Sequence, residues 1–305
     1  MKKAKILPAT LFSILFCLSV LYVSAQETLS EQSDRLYNED RNREAYRLLK
    51  AEIPSVRSRR EQAELYWRLA RSTLEIGYLL EDEGASSNEL LETFVEGEGY
   101  ADRAIELDPN NHNGYYWKSA NTGRWGEIKG ILNALFKAKP MRDLLNQALE
   151  IYPEHPASFY VLGIMYERVP GWPLSFGNSD YSVSLGRKAV DANKAEFETG
   201  LAYEIKLDYY LDLARHLYKR NWNVRKRNRE QSKKAERYAE ANDVLEKNYY
   251  YEGVVRIPDM TDREEAMELI EWVIEEFEAL PWLRRSQRLD LDGAREDLRT
   301  WTGRR

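Results

Sequence analysis

Two phrases, Ala101-Asp102-Arg103-Ala104-Ile105-Glu106-Leu107-Asp108-Pro109 and Leu144-Leu145-Asn146-Gln147-Ala148-Leu149-Glu150-Ile151-Tyr152-Pro153, are variations on one theme within Gly99–Tyr166. Each is the end of an amphipathic helix followed by a proline, which lacks an amide hydrogen and stops the helix. Behind each proline a new helix opens, with Tyr115-Tyr116-Trp117 in the first case and Phe159-Tyr160-Val161-Leu162-Gly163-Ile164-Met165-Tyr166 in the second. Small Ala104 and Ala148 let two helices approach closely, and Leu162, Gly163 and Tyr166 put a knob, a gap and a knob on one face.

Helix, proline turn, helix is the logic of the tetratricopeptide repeat, a unit of about 34 residues. The chain resembles that family most plainly at Phe159–Tyr166, where Leu162-Gly163 and Tyr166 fall on its Leu-Gly and Tyr positions. No run of alternating Val, Ile and Thr indicates a sheet. The expected fold is all-α: a tetratricopeptide-like helical-hairpin solenoid with irregular, lengthened repeats and a C-terminal helical cap. The expected division is an export signal over 1–25, a repeat array over 26–218, and a basic helix with helical cap over 219–305.

The signal reading rests on Lys2, Lys3 and Lys5 ahead of an apolar Ile6–Val23, then Val23-Ser24-Ala25 as a cleavage site. A retained membrane anchor is the alternative; Pro8, Thr10, Ser13 and Ser19 interrupt the apolar run. Cys17 follows Phe16, not the small residue that lipid attachment needs. Cleavage after Ala25 removes the one cysteine, and with it any disulfide or cysteine-based metal site. It also removes three lysines, leaving 42 basic against 51 acidic residues, a net −9. An exported acidic protein is not a nucleic-acid binder.

Working outward from the centre, Thr28–Ala51 reads as a helix pair or a bent helix, Ser58–Leu80 and Glu89–Leu107 as helices, and Ala195–Asn221 as one long helix. Thr261-Asp262-Arg263-Glu264 has the form of a capping box. Behind it Met267, Ile270, Val273, Ile274 and Phe277 form a buried stripe. The basic run from Lys219 to Lys234 reads as a solvated surface, or alternatively as a docking patch for an acidic partner or anionic lipid.

His112, His155 and His216 do not stand at metal-ligand spacing, and no phosphate loop or nucleophile elbow is present. Neither an enzyme nor a cofactor is expected. Overlaying the units on Gly163 brings Ala70, Ser119 and Gly200 to the same small position, with Trp67, Tyr116, Tyr160 and Phe197 three residues before it. The repeat resemblance implies that this position faces the concave groove, with Arg71 beside it, so an aromatic ladder is expected there. The competing expectation is that these rings pack, or that the C-terminal helices fill the groove. Trp125, Trp172 and Phe176 lie in inserted segments, which in repeat arrays often bind. Asn113 and Arg124 complete the candidate ligand- or partner-binding set.

Three phrases go beyond the generic repeat: Tyr66-Trp67-Arg68-Leu69-Ala70-Arg71, Tyr115-Tyr116-Trp117 leading into Gly123-Arg124-Trp125-Gly126-Glu127, and Val169-Pro170-Gly171. Together they resemble the periplasmic T component associated with TRAP transporters. The Trp-Arg-Leu-Ala-Arg phrase and Ile128-Lys129-Gly130 are also similar to the regulator-of-microtubule-dynamics family. The first resemblance implies a non-enzymatic exported protein that docks an extracytoplasmic substrate-binding protein, assembles into oligomers and holds a small apolar or organic-acid ligand. The alternative is a structural scaffold for envelope complexes with a self-filled groove.

Overall fold

The computed structural model of the chain describes residues 27–303. The expected export segment, with Cys17, lies outside them. Among the described residues there are thirteen α-helices, two short 3-10 turns and no strand. The N-terminal half contains α1 (Leu29–Asn38), α2 (Asn42–Glu52), α3 (Arg59–Asp82), α4 (Ser87–Leu107), α5 (His112–Lys129), α6 (Ile131–Ile151) and α7 (Pro156–Arg168). Then follow α8 (Ser179–Glu198), α9 (Leu207–Arg220), α10 (Val224–Glu240), α11 (Val244–Asn248), α12 (Asp262–Ala279) and α13 (Arg285–Thr302).

Local chemistry sets the boundaries. α4 and α6 end at Leu107 and Ile151, just before Pro109 and Pro153. Side chains of Thr28, Ser58, Ser86, Asn111, Asn178 and Asn223 each accept a hydrogen bond from an amide in the first turn, satisfying donors the helix leaves free. Reciprocal capping boxes form at the expected Thr261–Glu264 and also at Thr28–Glu31.

Helices pack mainly on their chain neighbours: α3 on α4, α4 on α5, α5 on α6, α7 on α8, with α12 laid on α9. That is a stack of helical hairpins, as the repeat resemblance implies. Ala104, Ala148 and Ala70 are fully buried where helices approach. Gly163 has a specific reason to lack a side chain. A Cβ there would lie 3.0 Å from His216 Nε2, and one on Gly186 would lie 3.0 Å from His216 Cδ2. The buried imidazole is clasped between α7 and α8 and anchored by Nδ1 at 2.5 Å from Glu167 Oε2. His216 is thus a packing residue. The main core runs from Ala138 to Ala294 through Phe159, Leu162, Leu185, Leu211, Ile270 and Phe277. Smaller clusters under Leu49–Leu69 and around Leu74, Leu90 and Phe94 support the N-terminal half.

Three expectations need correcting. Ala195–Asn221 is not one helix. α8 stops at Glu198, Gly200 takes φ +75°, and α9 starts only at Leu207. A positive φ is easy for glycine and ends a helix, so Gly200 is a turn residue and not the counterpart of Gly163. Second, not every proline is a stop: α6 runs through Pro140 from Ile131 to Ile151, unlike the helices that end before Pro109 and Pro153.

Third, the basic run is only half solvated. Arg225, Lys226, Arg229 and Lys233 are exposed, whereas Arg220, Arg227 and Lys234 are buried. Arg220 binds both carboxylate oxygens of Asp262 at 2.8 and 2.9 Å and Glu252 Oε2 at 2.5 Å. Arg187 reaches Glu252 at 3.0 Å and Glu265 at 2.8 and 2.7 Å, and Lys234 meets Glu252 at 2.6 Å. Arg227 joins Glu265 as well. This network ties α8, α9, α10 and α12 to the 3-10 turn Tyr251–Gly253, and its members satisfy one another away from water.

Candidate functional site

A cavity of about 490 Å³ lies where both halves of the array and the last helix meet. Tyr37 of α1, Glu75 and Tyr78 of α3, Tyr116 and Arg124 of α5 and Tyr160 of α7 line it. The turn Glu204–Lys206, Asp208 at the start of α9, Phe277 of α12 and residues 284–290 complete the wall. The start of α13 closes it. The Arg285 amide donates to Asp40 Oδ2 at 2.7 Å, and its guanidinium donates to Asp82 Oδ1 at 2.7 Å and to the Tyr78 carbonyl at 3.2 Å. Arg284 pairs with Glu204.

The charges of this wall are unevenly matched. Every cation touches a carboxylate: Arg124 holds Glu81 at 2.6 Å and also Glu127, Lys206 at 2.6 Å shares Glu204 with Arg284, and Arg285 holds Asp82. Glu75, Asp208 and Asp290 line the same space, and among the described residues none of the three is in an ion pair or a side-chain hydrogen bond. Their acidities reflect that. Burial, with the charge of Asp40 added, pushes the Glu75 carboxyl up to about 7 despite Arg71 and Arg285. Burial raises Asp208 to about 6, with Lys206 pulling back and Asp212 adding to the rise. Asp290 is raised to about 7 by burial and by Asp208 and Asp212.

Of the candidate residues, the cavity brings together Tyr116, Tyr160 and Arg124. Tyr160 stacks on Tyr209 with ring centroids 4.4 Å apart. Arg124 lies over the Tyr78 ring at 4.7 Å. Trp67 and Arg71 are elsewhere, buried in the joint between α1 and α3. Arg68 binds Asp34 at 3.0 and 2.8 Å, Arg71 binds it at 2.7 Å, and Arg71 also covers Tyr37 at 4.1 Å. The Trp-Arg-Leu-Ala-Arg phrase is therefore a clamp on the first helix.

Trp125 packs on the Leu74–Leu90–Phe94 cluster with Lys137 over its ring at 4.8 Å. Phe176 lies edge-on to Tyr166 at 5.1 Å with Arg142 above it. Trp172 points to solvent, 89% exposed. Phe197, expected as the last rung of the ladder, is exposed in the final turn of α8 and lines neither this cavity nor its neighbour. The overlay that placed it there used Gly200, which is in the turn.

Asn113 lines the second, smaller cavity of about 280 Å³ beside His112, Tyr152, His155 and Asn193. Its rings pack tightly, with His112 and His155 at 4.8 Å and Tyr116 and His155 at 5.2 Å. Burial, then the neighbouring His112, lowers His155 to about 3, so it is neutral and bonded to Ser158 Oγ at 2.8 Å. Among the described residues no group of His, Cys, Asp and Glu is arranged to hold a metal ion, and no helix is long and apolar enough to cross a membrane.

Tyr37, Glu75, Asp208 and Asp290 escaped the sequence reading. Asp208 fell in the middle of the supposed long helix, and Asp290 in a segment taken only as a cap. For Tyr37 the available signal was the Tyr at the end of α1 facing the Trp-Arg-Leu-Ala-Arg clamp.

Residues 29–168 match a family described as Regulator of microtubule dynamics protein 1-3. Both phrases that carried that resemblance lie inside the match. The chain is similar to Regulator of microtubule dynamics protein 1 of Bos taurus, 29% identical over 147 residues covering 48% of this chain and 44% of that protein. The Mus musculus protein 1 is 26% identical over 195 residues, covering 63% and 59%. Regulator of microtubule dynamics protein 3 of Rattus norvegicus is 24% identical over 139 residues, covering 45% and 28%. The chain thus spans between 28% and 59% of the lengths of these relatives. A solved structure, the MamA RS-1 ArsTM double mutant, aligns with 80% of this chain and 93% of its own at 15% identity and a TM-score of 0.38.

Proposed function

We propose that this chain is a non-enzymatic helical-repeat binding protein that holds a small ligand in the cavity under α13 and presents its outer surface to a protein partner. One observation carries the reading: Tyr116 and Tyr160, from successive units, converge with Tyr37 and Tyr78 on a space of about 490 Å³, the size of a small-molecule site. The rings offer large contact area at small cost in side-chain freedom. Export after cleavage at Ala25 belongs to the same reading, and the mass of the mature chain tests it.

The partner that the transporter resemblance implies is an extracytoplasmic substrate-binding protein of the TRAP type; that rests on the sequence phrases alone. Envelope co-purification at several salt concentrations tests it, and loss of any solute-binding protein from the preparation refutes it. For the cavity, the experiment is native mass spectrometry and thermal unfolding of the purified chain beside a Tyr116→Ala/Tyr160→Ala variant. A retained small molecule, or a ligand-dependent rise in Tm that the variant loses, supports binding. A variant that merely unfolds earlier, with no ligand in either protein, supports the scaffold alternative.

A second reading is favoured by the match over 29–168: a role in microtubule dynamics, as the names of the matched proteins state. Co-sedimentation of the chain with polymerised tubulin tests it. A mature mass that shows cleavage after Ala25 would favour the first reading.

A further inference from the structure

We propose that the cavity under α13 takes a small organic cation, a protonated amine held by the carboxylates of Glu75, Asp208 and Asp290 among the rings of Tyr37, Tyr116 and Tyr160. This rests on the reading of the chain as a small-ligand binding protein, and it names the class of ligand.

The argument is one of unmatched charge. In the wall Arg124 is paired with Glu81 and Arg285 with Asp82, while Lys206 and Arg284 share Glu204. An incoming organic acid would have to break one of those pairs and approach three further carboxyl groups. A cation meets the reverse: Glu75, Asp208 and Asp290 come from α3, α9 and α13, face one space, and have no partner among the described residues. Glu75, Asp208 and Asp290 are half-buried; carboxylates withdrawn from water without a partner are costly to ionise, and three from separate elements in one tyrosine-lined space are accounted for by a ligand that supplies the missing positive charge. Aromatic rings add to the fit, because their negative faces attract a cation and an ammonium ion can also donate to the carboxylates. The start of α13 supplies both Asp290 and the Arg284–Arg285 clasp, so the same segment closes the site and charges it.

The raised acidities leave these carboxyl groups partly protonated near neutrality. Facing Glu75 are Asp40, Arg71, Arg284 and Arg285; facing Asp208 are Lys206, Asp212 and Glu204; facing Asp290 are Asp208, Asp212, Arg215 and Lys206. An arriving cation favours the ionised forms, so binding expels protons and tightens as pH rises through about 6 to 7.

The test is isothermal titration calorimetry of the full chain with 1,4-diaminobutane, choline, succinate and glucose as probes. Buffers of different ionisation enthalpy are used, and native mass spectra are taken of the protein as purified. The expected result is binding of 1,4-diaminobutane with proton release. Affinity falls about tenfold or more in Glu75→Gln and Asp208→Asn, while circular dichroism and Tm show both variants folded. Equal affinity in these variants and in Asp290→Asn overturns the proposal. Binding of succinate or glucose in place of the two cations also overturns it, but leaves the small-ligand reading standing. If a molecule is retained through purification, its release under denaturing conditions decides: an amine supports the assignment, an acid or neutral compound overturns it. No binding of any probe and no retained mass defeats both this assignment and the reading beneath it.

Discussion

Glu252 is the side chain on which three buried cations converge, at 3.0 Å from Arg187, 2.5 Å from Arg220 and 2.6 Å from Lys234. Glu252→Gln leaves those cations short of one charge in a site that water does not reach. The expected loss is about 3–5 kcal/mol of stability, read by urea denaturation. Lys226→Ala, on the exposed side of α10, the helix that carries Lys234, should change it by less than about 0.5 kcal/mol. The pH dependence has two arms. Burial opposes ionisation of Glu252, but Arg220, Lys234 and Arg187 outweigh it and hold its carboxyl well below the usual range. A depressed folded value means stability that is present above the ordinary carboxylate pKa of about 4.3 and is lost as pH falls below it. Glu75, Asp208 and Asp290 have the opposite sign. Their raised folded values impose a penalty that is absent below about pH 4 and grows as pH rises toward 7. Glu75→Gln should therefore raise stability by about 1–2 kcal/mol at pH 8 while weakening ligand binding, a trade expected at functional sites. Thermal unfolding across the pH range checks both arms.

At the scale of the helix, the capping box of α12 is a local device with a local test. Thr261 Oγ1 accepts from the Glu264 amide at 3.2 Å, and Glu264 Oε2 accepts from the Thr261 amide at 2.7 Å. Thr261→Ala should cost about 1 kcal/mol, measured by chemical denaturation, with the fold unchanged. Such features were legible in the sequence because their cause lies within a few residues: the two proline stops, this box, and the stripe, of which Ile270, Val273 and Phe277 are buried and Met267 and Ile274 half-buried. The inward-facing cations of the basic run were not. Arg220, Arg227 and Lys234 recur every seven residues, but their acidic partners Glu252, Asp262 and Glu265 lie in other elements, so the spacing alone did not say which way the charges point. The candidate site divides the same way. Tyr116 and Tyr160 could be found because they occupy the same step of successive units. Asp208 could not, because Gly200 aligns with the packing glycines although it makes a turn, and that turn is what sets Asp208 at the start of α9. Asp290 and Tyr37 enter the site only through long-range packing that no local pattern encodes.

For the molecule as a whole, the clasp of Arg285 on Asp40 and Asp82 joins segments 245 and 203 residues apart. The Asp82 side is 52% exposed, so breaking that pair should cost no more than about 1 kcal/mol of global stability. Its effect should appear in local opening. Asp82→Arg is expected to speed hydrogen exchange at residues 284–290, and adding Arg285→Asp to it should restore part of the protection, a coupling that a double-mutant cycle isolates. Unchanged exchange in the single variant would mean the helix is held by its other contacts, among them Leu291 and Ala294 in the core, Arg215 on Asp297 and Arg284 on Glu204. Open repeat arrays grow in evolution by duplicating a unit, since each one touches only its neighbours. In this chain an extra hairpin between α3 and α13 would carry Asp82 out of reach of Arg285, so relatives that keep the clasp should keep the number of hairpins too. Length variation among them should then fall in loops and at the termini.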